Sequence, residues 1–199
     1  MSEKRFPVTE QVVVDEFLAA QRPRRADAAR NFDALLVAAR EAFAEHGAEA
    51  SLEDIARRAG VGIGTLYRNF PTRRHLFETV YANEVNELSL VARELSDESP
   101  WEALAAWLRR FVAYTLTKRA IREALEGEES DIFLACRQSM YDAATPLLRR
   151  AQDAGEVRAD MSVDDLLRLV SGVSSVAFPE EGQRDRVLGI ALDGVRATG

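Results

Sequence analysis

Helix breakers are scarce in this chain, and their placement decides most of what it can fold into. Glycine occurs 11 times and proline 6 times in 199 residues. The stretches between them are rich in Ala, Leu, Arg and Glu, side chains that lose little rotamer freedom in a helix. No β-branched run exceeds Val12-Val13-Val14, and no Asn-Gly hairpin signal occurs. An all-α fold of about nine helices follows, with enough chain for one large or two small cores.

The breakers divide the chain unevenly. Residues 1–26 are expected as a flexible arm: Val12 to Ala20 can form a short helix, but Gln21-Arg22-Pro23-Arg24-Arg25 interrupts it. From Asp27, the spacing of Phe32, Leu35, Leu36, Ala39 and Phe43 places five apolar side chains on one helical face. Gly47 is the expected left-handed stop. Ser51-Leu52-Glu53-Asp54 fits a capping box opening a helix to about Arg58. Glycines 60, 62 and 64 then precede a short helix, Thr65 to Phe70, stopped by Pro71. Thr72 is a natural N-cap for a long helix linking this segment, residues 27–72, to a helical body at 73–199.

Within the body, Ser99-Pro100-Trp101 has helix-opening chemistry. A shorter helix is expected from Ile121 to Leu125, before the acidic break Glu126-Gly127-Glu128-Glu129. A long one follows from Asp131 to Ala154, kinked at Pro146. Helices from Ser162 to Ala177 and from about Glu181 to Val195 complete the series.

Residues 52–70 have the steric grammar of a helix-turn-helix. Ala56 is small where two helices would cross, and Gly60 tolerates the positive φ of a tight turn. Ile55, Val61 and Leu66 would point inward, leaving Thr65, Tyr67, Arg68 and Asn69 outward, able to reach base edges and phosphates in a major groove. The glycine run is not a nucleotide loop: it lacks G-x-G-x-x-G, a preceding strand and a following Gly-Lys-Ser/Thr. Charge agrees. The chain carries a net −7, yet residues 22–75 hold ten arginines against seven carboxylates, the asymmetry expected when one end meets phosphate.

The segment Ser51-Leu-Glu-Asp-Ile-Ala-Arg-Arg-Ala-Gly-Val-Gly-Ile-Gly-Thr-Leu-Tyr-Arg-Asn-Phe-Pro-Thr-Arg-Arg-His-Leu-Phe resembles the tetracycline-repressor (TetR) family. The likeness covers about residues 28–85; beyond residue 95 it weakens to architecture, although Ala151-Gln-Asp-Ala-Gly-Glu-Val-Arg resembles a turn found in some members. The resemblance implies a DNA-binding transcriptional regulator, a repressor released from an inverted-repeat operator by an unidentified small-molecule effector. It implies a phosphate contact from the Tyr67 hydroxyl, base or backbone contacts from Thr65, Arg68 and Asn69, and a phosphate clamp at Arg73. Ser51, Gly62, Ile63, Gly64 and Arg74 complete the expected DNA-contacting set. Ile63 departs from the polar or basic residue common there, so that position offers either an apolar contact, for instance to a thymine methyl, or no contact at all.

One recognition helix buries too little surface for tight specific binding, so a homodimer on double-stranded DNA is expected. Its interface is read at Leu166, Leu169, Val170, Val173 and Val176 with Leu188, Leu192 and Val195, a four-helix bundle across a twofold. An effector pocket is outlined by Trp107, Phe111, Tyr114, Phe133, Cys136, Met140 and Tyr141, within an aromatic cluster that also holds Trp101 and Phe178. No catalytic function is expected: the two histidines, His46 and His75, and one cysteine offer no metal-ligand spacing, and Ser171-Gly-Val-Ser-Ser is no nucleophile elbow. Neither a metal nor a cofactor is anticipated. The lone cysteine, the missing signal-peptide h-region and the lack of a membrane-length apolar stretch point to a cytoplasmic protein without membrane contact. The alternative is a helical interaction protein that does not bind DNA.

Overall fold

A computed structural model describes residues 10–124, 130–180 and 182–197, except for the side chains of residues 10, 96, 116 and 119–124. The described residues form nine α-helices: α1 (Glu10–Gln21), α2 (Ala26–His46), α3 (Leu52–Arg58), α4 (Ile63–Asn69), α5 (Arg73–Glu94), α6 (Pro100–Ala124), α7 (Asp131–Asp153), α8 (Val163–Ser174) and α9 (Gln183–Asp193). No strand occurs among them, only an isolated β-bridge between Val157 and Arg196. The packing separates into two compact units. One takes the chain up to Asn86 with Thr117–Ser139; the other takes Glu87–Leu116 with the chain from Met140 onward.

The first unit is built on the apolar face of α2. Phe32, Leu35, Ala39 and Phe43 are buried there with Ile55 and Ala56 of α3, Leu66 of α4 and Leu76, Phe77 and Val80 of α5. Two ring pairs fix the register: Phe32 stacks on Phe70 at 5.1 Å between centroids, and Phe43 meets Phe77 at 4.4 Å. Arg40 of α2 pairs with the buried Glu84 of α5 at 3.4 Å. The short helix expected from Val12 to Ala20 forms as α1, Glu10–Gln21, and it is packed rather than loosely held. Its Val14 is fully buried, its Gln21 Oε1 lies 2.9 Å from His75 Nε2, and Arg22 just beyond binds Asp33 through two bonds of 2.9 and 2.6 Å. The hydrophobic and polar contacts together offset the ordering cost that would leave a free arm frayed.

Helix ends account for most boundary differences. Gly60, at φ +68°, closes α3: Val61 N donates to Ala56 O (3.0 Å) and Gly60 N to Arg57 O (3.1 Å), the two bonds of a Schellman motif. Gly47 has positive φ as well, but its ψ of −140° lies outside the left-handed well, and the chain continues into a 3-10 turn, Gly47–Glu49. At Ser51 only half the capping box forms. Its Oγ accepts from Asp54 N at 3.3 Å, but the Asp54 carboxylate is drawn away by Arg57 and by Arg58 Nε at 2.6 Å. Arg58 also grips Glu45 of α2 through two bonds of 2.9 and 2.7 Å. The reciprocal box appears instead at Ser162 and Asp165, opening α8.

In the second unit Leu104, Trp107, Leu108, Phe111, Leu147, Leu148, Leu166, Val170, Leu188 and Leu192 are buried, and Trp107 Nε1 donates to Leu88 O at 2.9 Å. The Ala151–Arg158 turn ends α7, and the chain end returns to it: Arg158 N donates to Val195 O and Ala197 N to Glu156 O, both at 3.1 Å. Beside this pairing, the Arg196 guanidinium lies 4.9 Å from the Trp101 ring. The separate helix expected from Ile121 does not form. Helix α6 continues unbroken to Ala124, since no breaker precedes Gly127; Leu125 and the acidic break at 126–129 lie outside the described residues. Helix α7 runs through Pro146 without losing helical assignment.

Two outcomes follow. A Cβ at Gly60 meets nothing within 4 Å, so Gly60→Ala should destabilise through the left-handed backbone alone, by about 1–2 kcal/mol, with Gly60→Asn losing less; urea unfolding measures both. Hydrogen bonds from Arg58 hold the Glu45 carboxyl below its ordinary range, and those from Arg57 and Arg58 do the same for Asp54. Depressed folded-state values mean stabilisation that is present above the ordinary carboxylate pKa and lost as pH falls through the lowered ones. Thermal melts from about pH 6 to about pH 3 should therefore show a shallower acid-side loss for Arg58→Ala than for the wild type.

Candidate nucleic-acid interface

Helix α4 has only seven residues and stands on what it buries. Leu66 is 1% exposed and Phe70, directly after the helix, is also 1% exposed. Anchored on that side, the helix turns Gly62, Ile63, Gly64, Tyr67 and Arg68 outward, with Ile63 37% and Tyr67 48% exposed. It begins at Ile63 rather than Thr65, because Gly62 adopts an extended N-cap conformation and its carbonyl accepts from Thr65 N at 2.8 Å. The earlier start places Ile63 above Tyr67 and Gly64 above Arg68, one turn apart, on a single surface strip.

The outward side chains are partly organised by the helix itself. Arg68 Nη2 donates to Thr65 Oγ1 and Asn69 Nδ2 to Thr65 O, both at 2.8 Å. Thr65 and Asn69 are half-buried, so the freest groups on the strip are the apolar Ile63, the phenol of Tyr67 and the guanidinium of Arg68. At Gly62 and Gly64 an added Cβ would meet open space, so the backbone itself is approachable there. Ser51, exposed at the start of α3, is occupied by capping: besides accepting from Asp54 N, its Oγ donates to Glu53 Oε2 at 3.0 Å.

Arg73 and Arg74 depart from expectation. Arg73, read as a phosphate clamp, turns its guanidinium onto the carbonyls of Ala48 and Ala50, the latter at 2.7 Å, and lies over the Phe77 ring at 5.2 Å. Arg74 is paired with Glu78 at 3.0 Å. The α5 N-terminus is capped as anticipated, His75 N donating to Thr72 Oγ1 at 3.1 Å. The brace from Arg73 joins segments 23 and 25 residues apart, a pairing without any local sequence signal.

The expected interface and pocket residues divide differently from the reading. Leu166, Val170, Leu188, Leu192 and Val195 are buried within the single chain, because α8 and α9 pack against each other. Leu169 and Val173 are half-buried, whereas Val176 is 53% and Ile190 72% exposed. Among the pocket residues, Trp107, Phe111 and Tyr114 form a run of rings at 5.6 and 5.5 Å in the second unit. Met140 is buried in that unit, and Tyr141 donates its hydroxyl to Asp164 Oδ1 at 2.5 Å. Phe133 and Cys136 belong to the first unit, where Phe133 meets Tyr81 edge-on at 4.9 Å. Burial pushes the Cys136 thiol up to about 12, which keeps it protonated and unreactive at neutral pH. Among the described residues no group of three metal-ligating side chains occurs, and no helix is long and apolar enough to cross a membrane.

Comparison with known proteins agrees with this architecture. Residues 35–80 match the family model described as bacterial regulatory proteins of the tetR family, and residues 99–197 match that of the SbtR-like transcriptional regulator C-terminal domain. An HTH-type transcriptional regulator of Staphylococcus aureus strain N315 is 24% identical over 86% of this chain and 97% of its own. A TetR transcriptional regulator from Streptomyces coelicolor is 40% identical, with a TM-score of 0.72 over 84% of this chain and 99% of its own. The TetR regulatory protein of Mycobacterium vanbaalenii is 35% identical, with a TM-score of 0.68 over 88% and 100%. With its helix-turn-helix at α3 and α4 and a helical C-terminal half, the chain belongs to the TetR family of DNA-binding transcriptional regulators.

Proposed function

We propose that this protein is a repressor that binds an inverted-repeat operator as a homodimer and is released by a small-molecule effector. The observation that carries the DNA half is the exposed strip of α4, in which Ile63, Tyr67 and Arg68 stand outward beside Gly62 and Gly64 on a helix pinned by Leu66. Gly62 and Gly64 let the helix backbone approach a phosphate. The Tyr67 hydroxyl contacts a second phosphate, and Ile63 packs against a thymine methyl. Arg68 reads a base edge, held for it by Thr65, while Asn69 stiffens the same turn. Ser51 caps α3, and Arg73 and Arg74 act mainly by fixing the start of α5.

Dimerisation is assigned to α8 and α9. With Leu166, Val170, Leu188, Leu192 and Val195 used in the chain's own core, the side chains left to meet a partner are Leu169, Val173, Val176 and Ile190. The effector site is assigned to the second unit, around Trp107, Phe111, Tyr114, Met140 and Tyr141. For release, the effector must bind the DNA-incompetent arrangement more tightly than the competent one.

Selection from a random duplex pool tests the reading. It should recover an inverted repeat whose half-sites lie about one helical turn, or a multiple of it, apart; enrichment of no sequence would point to a helical interaction protein. On the recovered duplex, Arg68→Ala should cost about 1–3 kcal/mol and relax preference at one base pair. Arg73→Ala should weaken binding to all duplexes alike. It should also lower the melting temperature, because the Ala48 and Ala50 carbonyls lose their donor, at about 1–3 kcal/mol for a buried group left unpaired. An unchanged melting temperature would refute the bracing role.

A further inference from the structure

The ten arginines between residues 22 and 75 divide sharply by partner. Arg22 is held by Asp33, Arg30 by Asp27, Arg40 by Glu84, Arg57 by Asp54, Arg58 by Glu45 and Asp54, and Arg74 by Glu78. Arg73 donates to backbone carbonyls, and Arg68 donates to a threonine hydroxyl. Of these ten, only Arg24 and Arg25 have side chains with neither a hydrogen bond nor an ion pair, and both are exposed. The basic segment therefore presents far less free positive charge than its composition suggests, and much of that charge sits on two adjacent residues outside α4.

Those two residues are not on a loose tail. They lie in the short linker between α1 and α2, which is fastened on both sides. Before it, Gln21 Oε1 lies 2.9 Å from His75 Nε2, and Arg22 N donates to Leu18 O at 3.0 Å. Across it, Arg22 grips Asp33, while Pro23 restricts the intervening φ. His75 lies in the first turn of α5, edge-on to the Phe70 ring at 5.9 Å, and Phe70 in turn stacks on Phe32 of α2. The linker is thus tied to the junction of α4 and α5, and Arg24 is within about 11 Å of Gln21 by chain length alone. Two neighbouring uncompensated guanidiniums repel each other, and polyanion phosphates relieve that repulsion while releasing counterions.

We infer that Arg24 and Arg25 form a second, preordered DNA-backbone contact, gripping phosphates that flank each half-site. This inference rests on α4 being the reading head. Because α1 and the Arg22–Asp33 pair already hold the linker, little ordering cost attends binding. The contact carries no sequence information: it adds affinity for any duplex and extends the footprint beyond the bases α4 reaches.

The test compares wild type, Arg24→Ala/Arg25→Ala and Arg24→Lys/Arg25→Lys on two probes, the duplex recovered by selection and an unrelated duplex of equal length. Dissociation constants are measured across a series of salt concentrations. Since each phosphate contact contributes about 0.9 to the slope of log affinity against log salt, the alanine pair should flatten the slope by about 2 per protomer. It should weaken binding to both probes and leave their ratio unchanged, while the lysine pair retains the wild-type slope. Both side chains are exposed and neither makes a hydrogen bond or an ion pair, so the melting temperature should stay at the wild-type value. An alanine pair with wild-type slope and affinity on both probes would overturn the inference. In that outcome, loss of base preference in Arg68→Ala would leave the α4 reading standing; a wild type that retains no duplex would sink both.

Discussion

A seven-residue helix cannot persist in water on its own, because the nucleation cost of the first turn exceeds what so few hydrogen bonds return. The outward strip of α4 therefore depends on the side chains that pin the helix from behind. Leu66 and Phe70 provide that anchorage: Phe70 against Phe32 of α2, and Leu66 in a core shared with Ile55 and Ala56. The Schellman turn at Gly60 sets the angle at which α4 leaves α3. Arg73 then ties the start of α5 to the connection between α2 and α3. The exposed strip is the far side of a small hydrophobic core, and its geometry is only as firm as that core.

The same unit shows how charge is rationed. Asp54 could have completed a capping box, yet it serves Arg57 and Arg58, and Arg58 extends the link to Glu45 on α2. Carboxylates accepting from guanidinium groups make shorter, stronger bonds than those accepting from a backbone amide, so the cap gives way to the cross-link. These exposed pairs are individually weak contributors. Together they tie up six of the ten arginines between residues 22 and 75.

Much of this was legible in residue order. The helical period from Phe32 to Phe43, the Ala56 and Gly60 pair, the cap at Thr72 and the capping residue Ser162 are local patterns, and each corresponds to a feature of the fold. What escaped were pairings between distant segments: Arg73 with Ala50, Arg58 with Glu45, Gln21 with His75. Long polar side chains carry no periodicity that names their partner, and arginine reaches far enough to choose among several. The apolar stripe of α8 and α9 was equally ambiguous, since a repeat of Leu and Val says that a face is buried but not against what.

The sequence by itself determined the helical content, the position of the helix-turn-helix and two of its outward residues, Tyr67 and Arg68, because propensity, capping and glycine placement act within a few positions. Tertiary structure decided which of those outward groups remain free. It packed the short helix of the arm down as α1, drew Arg73 and Arg74 away from the surface strip, closed most of the supposed dimer stripe into the chain's own core, and left Arg24 and Arg25 uncompensated. Such outcomes depend on which charges and apolar faces meet in space, and burial and pairing are settled only when the whole chain has packed.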